Sequence, residues 1–199
     1  MLYNYSVKII LGSKSKGRKQ VLEDAGYKFD IMVSDINEEA IRHDDLSLLP
    51  LLIARGKMNA LLPKISEEAI LITSDQIVVY NGELREKPRD KEEARIWLES
   101  YSNNISTAIT SVVVMNTKTG SVSEGVDTVN VHFKKIPHTV IDKLIEKGMV
   151  LHTAGACVGE DPLLNPYIQK LEGELDSLTG LPMKLTEKLM HDVGYRNGR

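Results

Sequence analysis

The chain has 199 residues, enough for one large domain or two small lobes around a sizeable core. Hydrophobic residues make up 42% and charged residues 27%, and 25 Lys+Arg against 28 Asp+Glu give a net charge of −3, so no broad nucleic-acid or membrane surface is expected and any bound anion must be held locally. The single cysteine, Cys157, excludes an intramolecular disulfide and a cysteine-based zinc cluster and fits a reducing compartment.

No apolar run reaches membrane length, and Met1 to Ser6 leads straight into the first strand pattern, so no signal or transit peptide and a cytoplasmic address are expected. Val7 to Leu11 reads as a short buried strand. The polar loop Gly12-Ser13-Lys14-Ser15-Lys16-Gly17 follows, then an amphipathic stretch from Arg18 to Ala25 that Gly26 can cap. Lys28 to Val33 reads as a second strand, with Asp35-Ile36-Asn37-Glu38 behind it. Ser47 is placed to cap a helix running to about Leu62, with Leu52, Ile53, Lys57 and Ala60 at helical spacing and Pro63 beyond its end.

Ala69 to Tyr80 is the most β-prone apolar run, and Asp75 sits in its middle. A carboxylate taken out of water needs a cation, hydrogen bonds or a reaction to compensate it. The alternative is a strand that ends at Ser74 with Asp75 in a solvated turn. Asn81-Gly82 is a strong hairpin signal, and Asp90 with Glu93 forms a capping-box pattern for a helix through Ser100. β-Branched residues alternate over Ser106 to Met115 and Glu124 to Phe133 across a Thr117–Gly120 turn, predicting a long antiparallel hairpin. Thr139 to Lys147 and Pro182 to Asp192 read as helices closed by Gly148 and Gly194. No repeat, linker or clear boundary is visible. The order of elements predicts an α/β fold with a mixed, elongated central sheet flanked by helices, in two lobes around a substrate cleft.

Ser13, Ser15 and Arg18 offer hydroxyls, backbone N–H groups at a helix start and a fixed cation, a set that suits phosphate. The loop is neither a Walker loop nor a dinucleotide fingerprint, and a merely solvated loop is the plain alternative. Lys57 lies on a helix face that can turn toward a cleft. Pro88 confines Glu86-Lys87 to an extended conformation, which can carry Lys87 back toward Asp75. Glu38 and Asp75, with Glu160 or Asp35, are candidate hard oxygen ligands for a divalent cation that keeps most of its water. The histidines show no metal-ligand spacing, and no Gly-x-Ser-x-Gly elbow surrounds Ser74.

Taken together, Ser13-Lys14-Ser15-Lys16-Gly17-Arg18-Lys19, Asp35-Ile36-Asn37-Glu38, Lys57, Ser74-Asp75-Gln76, Glu86-Lys87-Pro88, Ala154-Gly155-Ala156 and Gly180-Leu181-Pro182 resemble the Maf (septum-formation-like) nucleoside triphosphate pyrophosphatases, in a eukaryotic-type form. The seven motifs occur in order over nearly the whole chain. The resemblance implies a single domain over 1–199, related in outline to the inosine-triphosphate pyrophosphatases, a homodimer, and hydrolysis of a nucleoside triphosphate to monophosphate and pyrophosphate. It implies Asp75 as general base, with Ser13, Ser15, Arg18, Lys57 and Lys87 on the triphosphate and Glu38 and Asp75 on Mg²⁺, Mn²⁺ or Co²⁺.

Three departures stand out. The family's Ser-Pro-Arg-Arg is Ser15-Lys16-Gly17-Arg18, so one arginine is absent, with Lys16 and Lys19 as candidates to replace it; Asn37 replaces an aspartate; and Leu175-Asp176-Ser177-Leu178 replaces Tyr-Ser-Asn-Val. Gly17, Gln76 and Glu160 fall on the family's specificity positions. Gln76 and Glu160 match the branch that prefers 7-methyl-GTP over dTTP and UTP, and a carboxylate complements a positively charged 7-methylguanine with two adjacent donors. Gly17 departs from that branch's aromatic residue, so stacking on the base must come from elsewhere. The other readings are a dTTP/UTP-preferring enzyme, a non-catalytic nucleotide-binding regulator of cell division, and a nucleic-acid regulator that the charge does not support.

Overall fold

A computed structural model describes residues 7–159 and 161–196. Its seven strands form one mixed sheet in the order β2-β1-β3-β5-β6-β7, with β4 paired to β3. These are β1 (Lys8–Leu11), β2 (Asp30–Ile31), β3 (Ala69–Tyr80), β4 (Glu83–Arg85), β5 (Ile105–Asn116), β6 (Val122–Phe133) and β7 (Ile168–Glu172). β1 runs parallel to both β2 and β3, while β3–β4 and β6–β7 are antiparallel. The helices are α1 (Lys16–Asp24), α2 (Leu49–Leu61), α3 (Lys91–Ser100), α4 (His138–Lys147), α5 (Leu175–Leu178) and α6 (Met183–Asp192). The expected mixed α/β architecture is present. No helix is long and apolar enough to cross a membrane among the described residues.

The chain forms two compact units. The first holds the residues through Asp75, Ser111–Asp127 and those from Gly180; the second holds Gln76–Thr110 and Thr128–Thr179. In the first unit β3 is buried on both sides, and its residues alternate between two clusters as the pleat requires. Ile70 and Ile72 pack with Leu22 of α1 and Leu189 and Met190 of α6. Ala69 and Leu71 pack with Ala54, Met58 and Leu61 of α2. The second unit's core joins α3 and α4 through Leu98, Tyr101, Phe133, Ile141 and Leu144, with the Tyr101 and Phe133 rings stacked at 5.5 Å.

Local chemistry set most boundaries. Asn81 (φ 50°) and Gly82 (φ 80°) make the tight turn between β3 and β4, both in the left-handed region that the turn demands. Asp90 caps α3 by accepting from the Glu93 amide at 2.8 Å, whereas the Glu93 carboxylate reaches back to the Arg89 amide at 2.7 Å, one residue earlier than a capping box expects. The second strand is shorter than expected. Ser47 does not cap α2: its hydroxyl donates to Asp45 at 2.6 Å, Leu48 occupies the cap position without a side-chain bond, and Pro50 stands in the first turn of the helix. β7 and α5 were not expected. Asp75 lies within β3, so the solvated-turn alternative is excluded.

Gly12 ends β1 where backbone and helix crowd together. A Cβ there would lie 2.7 Å from both Leu61 Cδ1 and Thr73 Cγ2. Gly12→Ala is therefore expected to lower stability by about 1–3 kcal/mol, measured as a lower urea midpoint at constant m-value. An unchanged midpoint would show that the neighbours yield freely.

Candidate active site

Lys57 is on the inner side of α2 together with Ile53, Ala54, Met58 and Leu61, at the spacing of one helical face. Only 7% of it is exposed. Thr73 fixes where that face lands, because its Oγ1 donates to the Ala54 carbonyl at 2.9 Å. From that bond, three residues along the helix rise about 4.5 Å and two along the strand about 6.7 Å, which brings Lys57 opposite Asp75. Lys57 Nζ donates to Asp75 Oδ1 at 2.7 Å and lies 3.2 Å from Glu38 Oε1. Asp75 is 6% exposed, while Glu38 comes from a short turn, Glu38–Ala40, with its side chain partly in water.

Burial lifts the Asp75 carboxyl above its ordinary pKa; Lys57 and Arg18 pull against that, and Glu38 adds to it. The result is an ionisable oxygen that holds a proton better than a surface carboxylate does. Burial likewise lowers the pKa of the Arg18 guanidinium, against the fields of Asp75 and Glu38, and it remains a cation.

The polar loop forms a compact hydrogen-bonded turn. Ser13 Oγ accepts from the Ser15 amide at 3.1 Å, and Ser15 Oγ caps α1 by accepting from the Arg18 amide at 3.4 Å. Arg18 folds inward: Nη1 donates to the Ser74 carbonyl at 2.6 Å and Ser13 Oγ at 3.4 Å, and Nε to the Gly180 carbonyl at 2.9 Å. No acidic residue occupies the first turn of α1, so the N-terminus keeps its positive end. Lys19 pairs with Glu23 at 3.6 Å on the helix surface rather than replacing the missing arginine in the turn.

The first unit thus gathers Ser13, Ser15, Gly17, Arg18, Glu38, Lys57 and Asp75. Asp35 stays apart, 87% exposed and 3.7 Å from Lys64. Among the described residues no group of three or more His, Cys, Asp and Glu is placed to hold a metal. The Glu38 and Asp75 oxygens both lie against the Lys57 ammonium. Two carboxylates completed by substrate phosphates and water fit a magnesium-type cation.

The second unit holds the other candidates. Lys87 is exposed and makes no protein bond among the described residues, and its stretch is tied down by the Gly155 amide, which donates to the Glu86 carbonyl at 2.8 Å. Gly155 takes φ 61°, and a Cβ there would meet Val78 at 2.7 Å, so the Ala-Gly-Ala motif positions the Lys87 segment. Gln76 is half-buried in a network with Thr110, Ser177 and Leu178. Glu160 lies outside the described residues. Sequence reasoning missed Thr73, Ser74 and Gly180 as positioning groups. Thr73 carried one signal, a hydroxyl on the Asp75 side of an apolar strand.

The sequence profile of the Maf-like proteins matches residues 8–193. The chain is 45% identical over 192 residues to a 7-methyl-GTP pyrophosphatase of Dictyostelium discoideum, covering 93% of this chain and 96% of that protein. It is 31% identical over 189 residues to a dTTP/UTP pyrophosphatase of Clostridium novyi (strain NT), covering 94% and 98%, and 33% identical over 185 residues to one of Alkaliphilus metalliredigens (strain QYMF), covering 92% and 95%.

Lys57→Met leaves the buried Asp75 carboxylate without its cation and is expected to cost about 3–5 kcal/mol at neutral pH. An acid whose folded pKa exceeds its unfolded one destabilises the fold above both values, and that cost vanishes once both states are protonated. The deficit should therefore shrink as the pH falls from neutral toward the ordinary carboxylate range, and Lys57→Met with Asp75→Asn should recover most of it at neutral pH. Urea unfolding of the single and double variants reads both effects; a pH-independent deficit would mean lost packing instead.

Proposed function

The chain belongs to the Maf-like protein family, and from that premise we propose that it hydrolyses nucleoside triphosphates to the monophosphate and pyrophosphate, with 7-methyl-GTP favoured. The observation that carries the chemistry is the buried Asp75, held by Lys57 at 2.7 Å and kept more basic than a surface carboxylate. The 45% identity to a protein named for 7-methyl-GTP, against 31% and 33% to proteins named for dTTP and UTP, supports the base preference.

In this mechanism Asp75 takes a proton from a water molecule, the water oxygen bonds to the α-phosphorus, and the bond to the bridging oxygen of pyrophosphate breaks. Lys57 keeps Asp75 ionised and oriented. Arg18, with Nη2 left unbonded by the described protein, and the open N-terminus of α1 face the phosphate charge; Ser13 and Ser15 shape that turn, and Lys87 supplies a further cation. A divalent cation held by Glu38 and Asp75 would add Lewis-acid neutralisation of the phosphate oxygens. Gly17, Gln76 and Glu160 are the proposed specificity positions. A single catalytic domain, a homodimer and a cytoplasmic address are parts of the same proposal, and sedimentation velocity tests the second.

A pyrophosphate-release assay over canonical and modified triphosphates, supplied with Mg²⁺, Mn²⁺ or Co²⁺, tests the activity. 7-Methyl-GTP should exceed UTP and dTTP in kcat/KM, and absence of turnover for every triphosphate by folded protein would end the reading. Asp75→Asn should lower kcat by about 10²- to 10⁴-fold while nucleotide binding persists. The acid limb of the kcat/KM profile should lie above the ordinary carboxylate value of about 3.9, since a folded pKa above that value leaves Asp75 protonated, and inactive as a base, to higher pH.

A further inference from the structure

Arg85 closes β4 opposite Val78 of β3 and is buried within the second unit. Its charge is met by three aromatic faces and one helix end. The guanidinium carbon lies 4.2 Å from the centroid of the Tyr80 ring, 4.9 Å from that of Tyr101 and 5.5 Å from that of Trp97. Nη1 donates to Ser100 Oγ at 2.7 Å and to the Trp97 carbonyl at 3.5 Å, both in the last turn of α3, which has no basic residue of its own. A cation there meets the negative pole of the helix. Nε has no partner among the described residues. A buried donor left unpaired costs stability, and an apolar side chain would fill the same space without that cost. Packing alone does not account for an arginine at this position.

What the arginine joins is the two ends of one excursion of the chain. Residues 86–90 run from β4 to the start of α3, and Arg85 fastens the root of that loop to the far end of the same helix. Tyr101, which closes α3, lies under the guanidinium and donates its hydroxyl to the Gly155 carbonyl at 2.9 Å. Burial raises the phenol's pKa, against the pull of Arg85, so the hydroxyl keeps its proton to donate. The Gly155 amide in turn donates to the Glu86 carbonyl at 2.8 Å. The contacts that leave Arg85 through Tyr101 and Gly155 thus return to the residue beside it, and all of these residues belong to the second unit. Lys87 follows, exposed, and Pro88 after it is buried. Building on the pyrophosphatase reading above, we propose that Arg85 is a positioning residue that acts through Lys87: it clamps the backbone from which the Lys87 ammonium is presented to the triphosphate. A lysine is a point charge on a flexible stem, so a fixed root is what the fold can supply to aim it.

A double-mutant cycle separates this role from general support, with thermal melts confirming that each variant folds. Arg85→Met fills the site and removes the clamp. It should lower kcat/KM for 7-methyl-GTP by about 10-fold in the parent but by less than about 2-fold in Lys87→Ala, where the ammonium is already gone. Arg85→Lys, whose ammonium can still meet the end of α3, should lose only about 3-fold in the parent. Tyr101→Phe keeps the ring, loses the hydroxyl and should cost about 2- to 5-fold, again only with Lys87 present. Amide hydrogen exchange at Gly155 should quicken by about 10-fold in both Arg85→Met and Tyr101→Phe. Equal losses with and without Lys87, full activity in Arg85→Met, an Arg85→Lys protein as impaired as Arg85→Met, or unchanged Gly155 exchange would each overturn the proposal and leave Arg85 as core support. A parent protein that turns over no triphosphate would instead sink the pyrophosphatase reading, and the Gly155 exchange, which needs no turnover, would still report on the clamp.

Discussion

The 2.7 Å contact between Lys57 and Asp75 is the constraint around which the first unit is arranged. Neither group survives alone at that depth: an unpaired buried carboxylate protonates, and an unpaired buried ammonium sheds its proton. Held together, they let the protein place a basic oxygen where water is scarce. Burial still wins the balance on Asp75, leaving its pKa raised even with Lys57 bonded to it and Arg18 near. A pair that fully satisfied the carboxylate would make it a poor proton acceptor. This one is under-compensated because of burial, and Glu38, sharing the same ammonium at 3.2 Å, adds a little to that.

β3 serves two tasks by alternation. Its α2-facing side starts apolar with Ala69 and Leu71, then turns polar at Thr73 and Asp75; the other side starts with Ile70 and Ile72 and turns polar at Ser74 and Gln76. The apolar half anchors the strand, which gives the polar half a fixed frame. On one side that frame orients an ionisable pair. On the other it fastens Ser177–Gly180, and Gly180, whose φ of 100° only glycine adopts readily, turns its carbonyl to accept from both Ser74 and Arg18. Arg18 is thereby a structural bolt first, with most of its fork spent on protein.

Much of this was legible in the sequence because it depends on nearest neighbours. The Asn81-Gly82 turn, the Asp90 cap, the glycine ends of α4 and α6 and the whole extent of β3 follow from local chemistry. The failures were contests that local rules cannot decide. Ser47 had two uses for its hydroxyl, and Asp45 two residues away took it. β7 carries Gln169, Lys170 and Glu172 toward water on a partly exposed strand, so it lacks the apolar alternation that betrays β6. The direction of the Gln76 amide was beyond reach, since its partners lie 34, 101 and 102 residues further on. The cluster of Arg18, Glu38, Lys57 and Asp75 was guessed as a set from ordered motifs, while its geometry came from the Thr73–Ala54 register.

Two buried cations, Lys57 and Arg85, are held in different ways. Arg85 is 6% exposed, stacks over Tyr80 at 4.2 Å and Tyr101 at 4.9 Å, and spends Nη1 on Ser100 at 2.7 Å. Aromatic faces stabilise it by a quadrupole, which holds a charge without a carboxylate beside it. Its Nε remains without a partner, and the segment it steadies leads directly into Glu86-Lys87-Pro88. Lys57 instead sits against two carboxylates, each of which can trade its place at the ammonium for a proton or a metal. Burial by rings yields rigidity and nothing to react; burial by carboxylates leaves a negative oxygen poised beside a cation. The difference separates a cation that holds a loop in place from one that shares its charge with two ionisable oxygens.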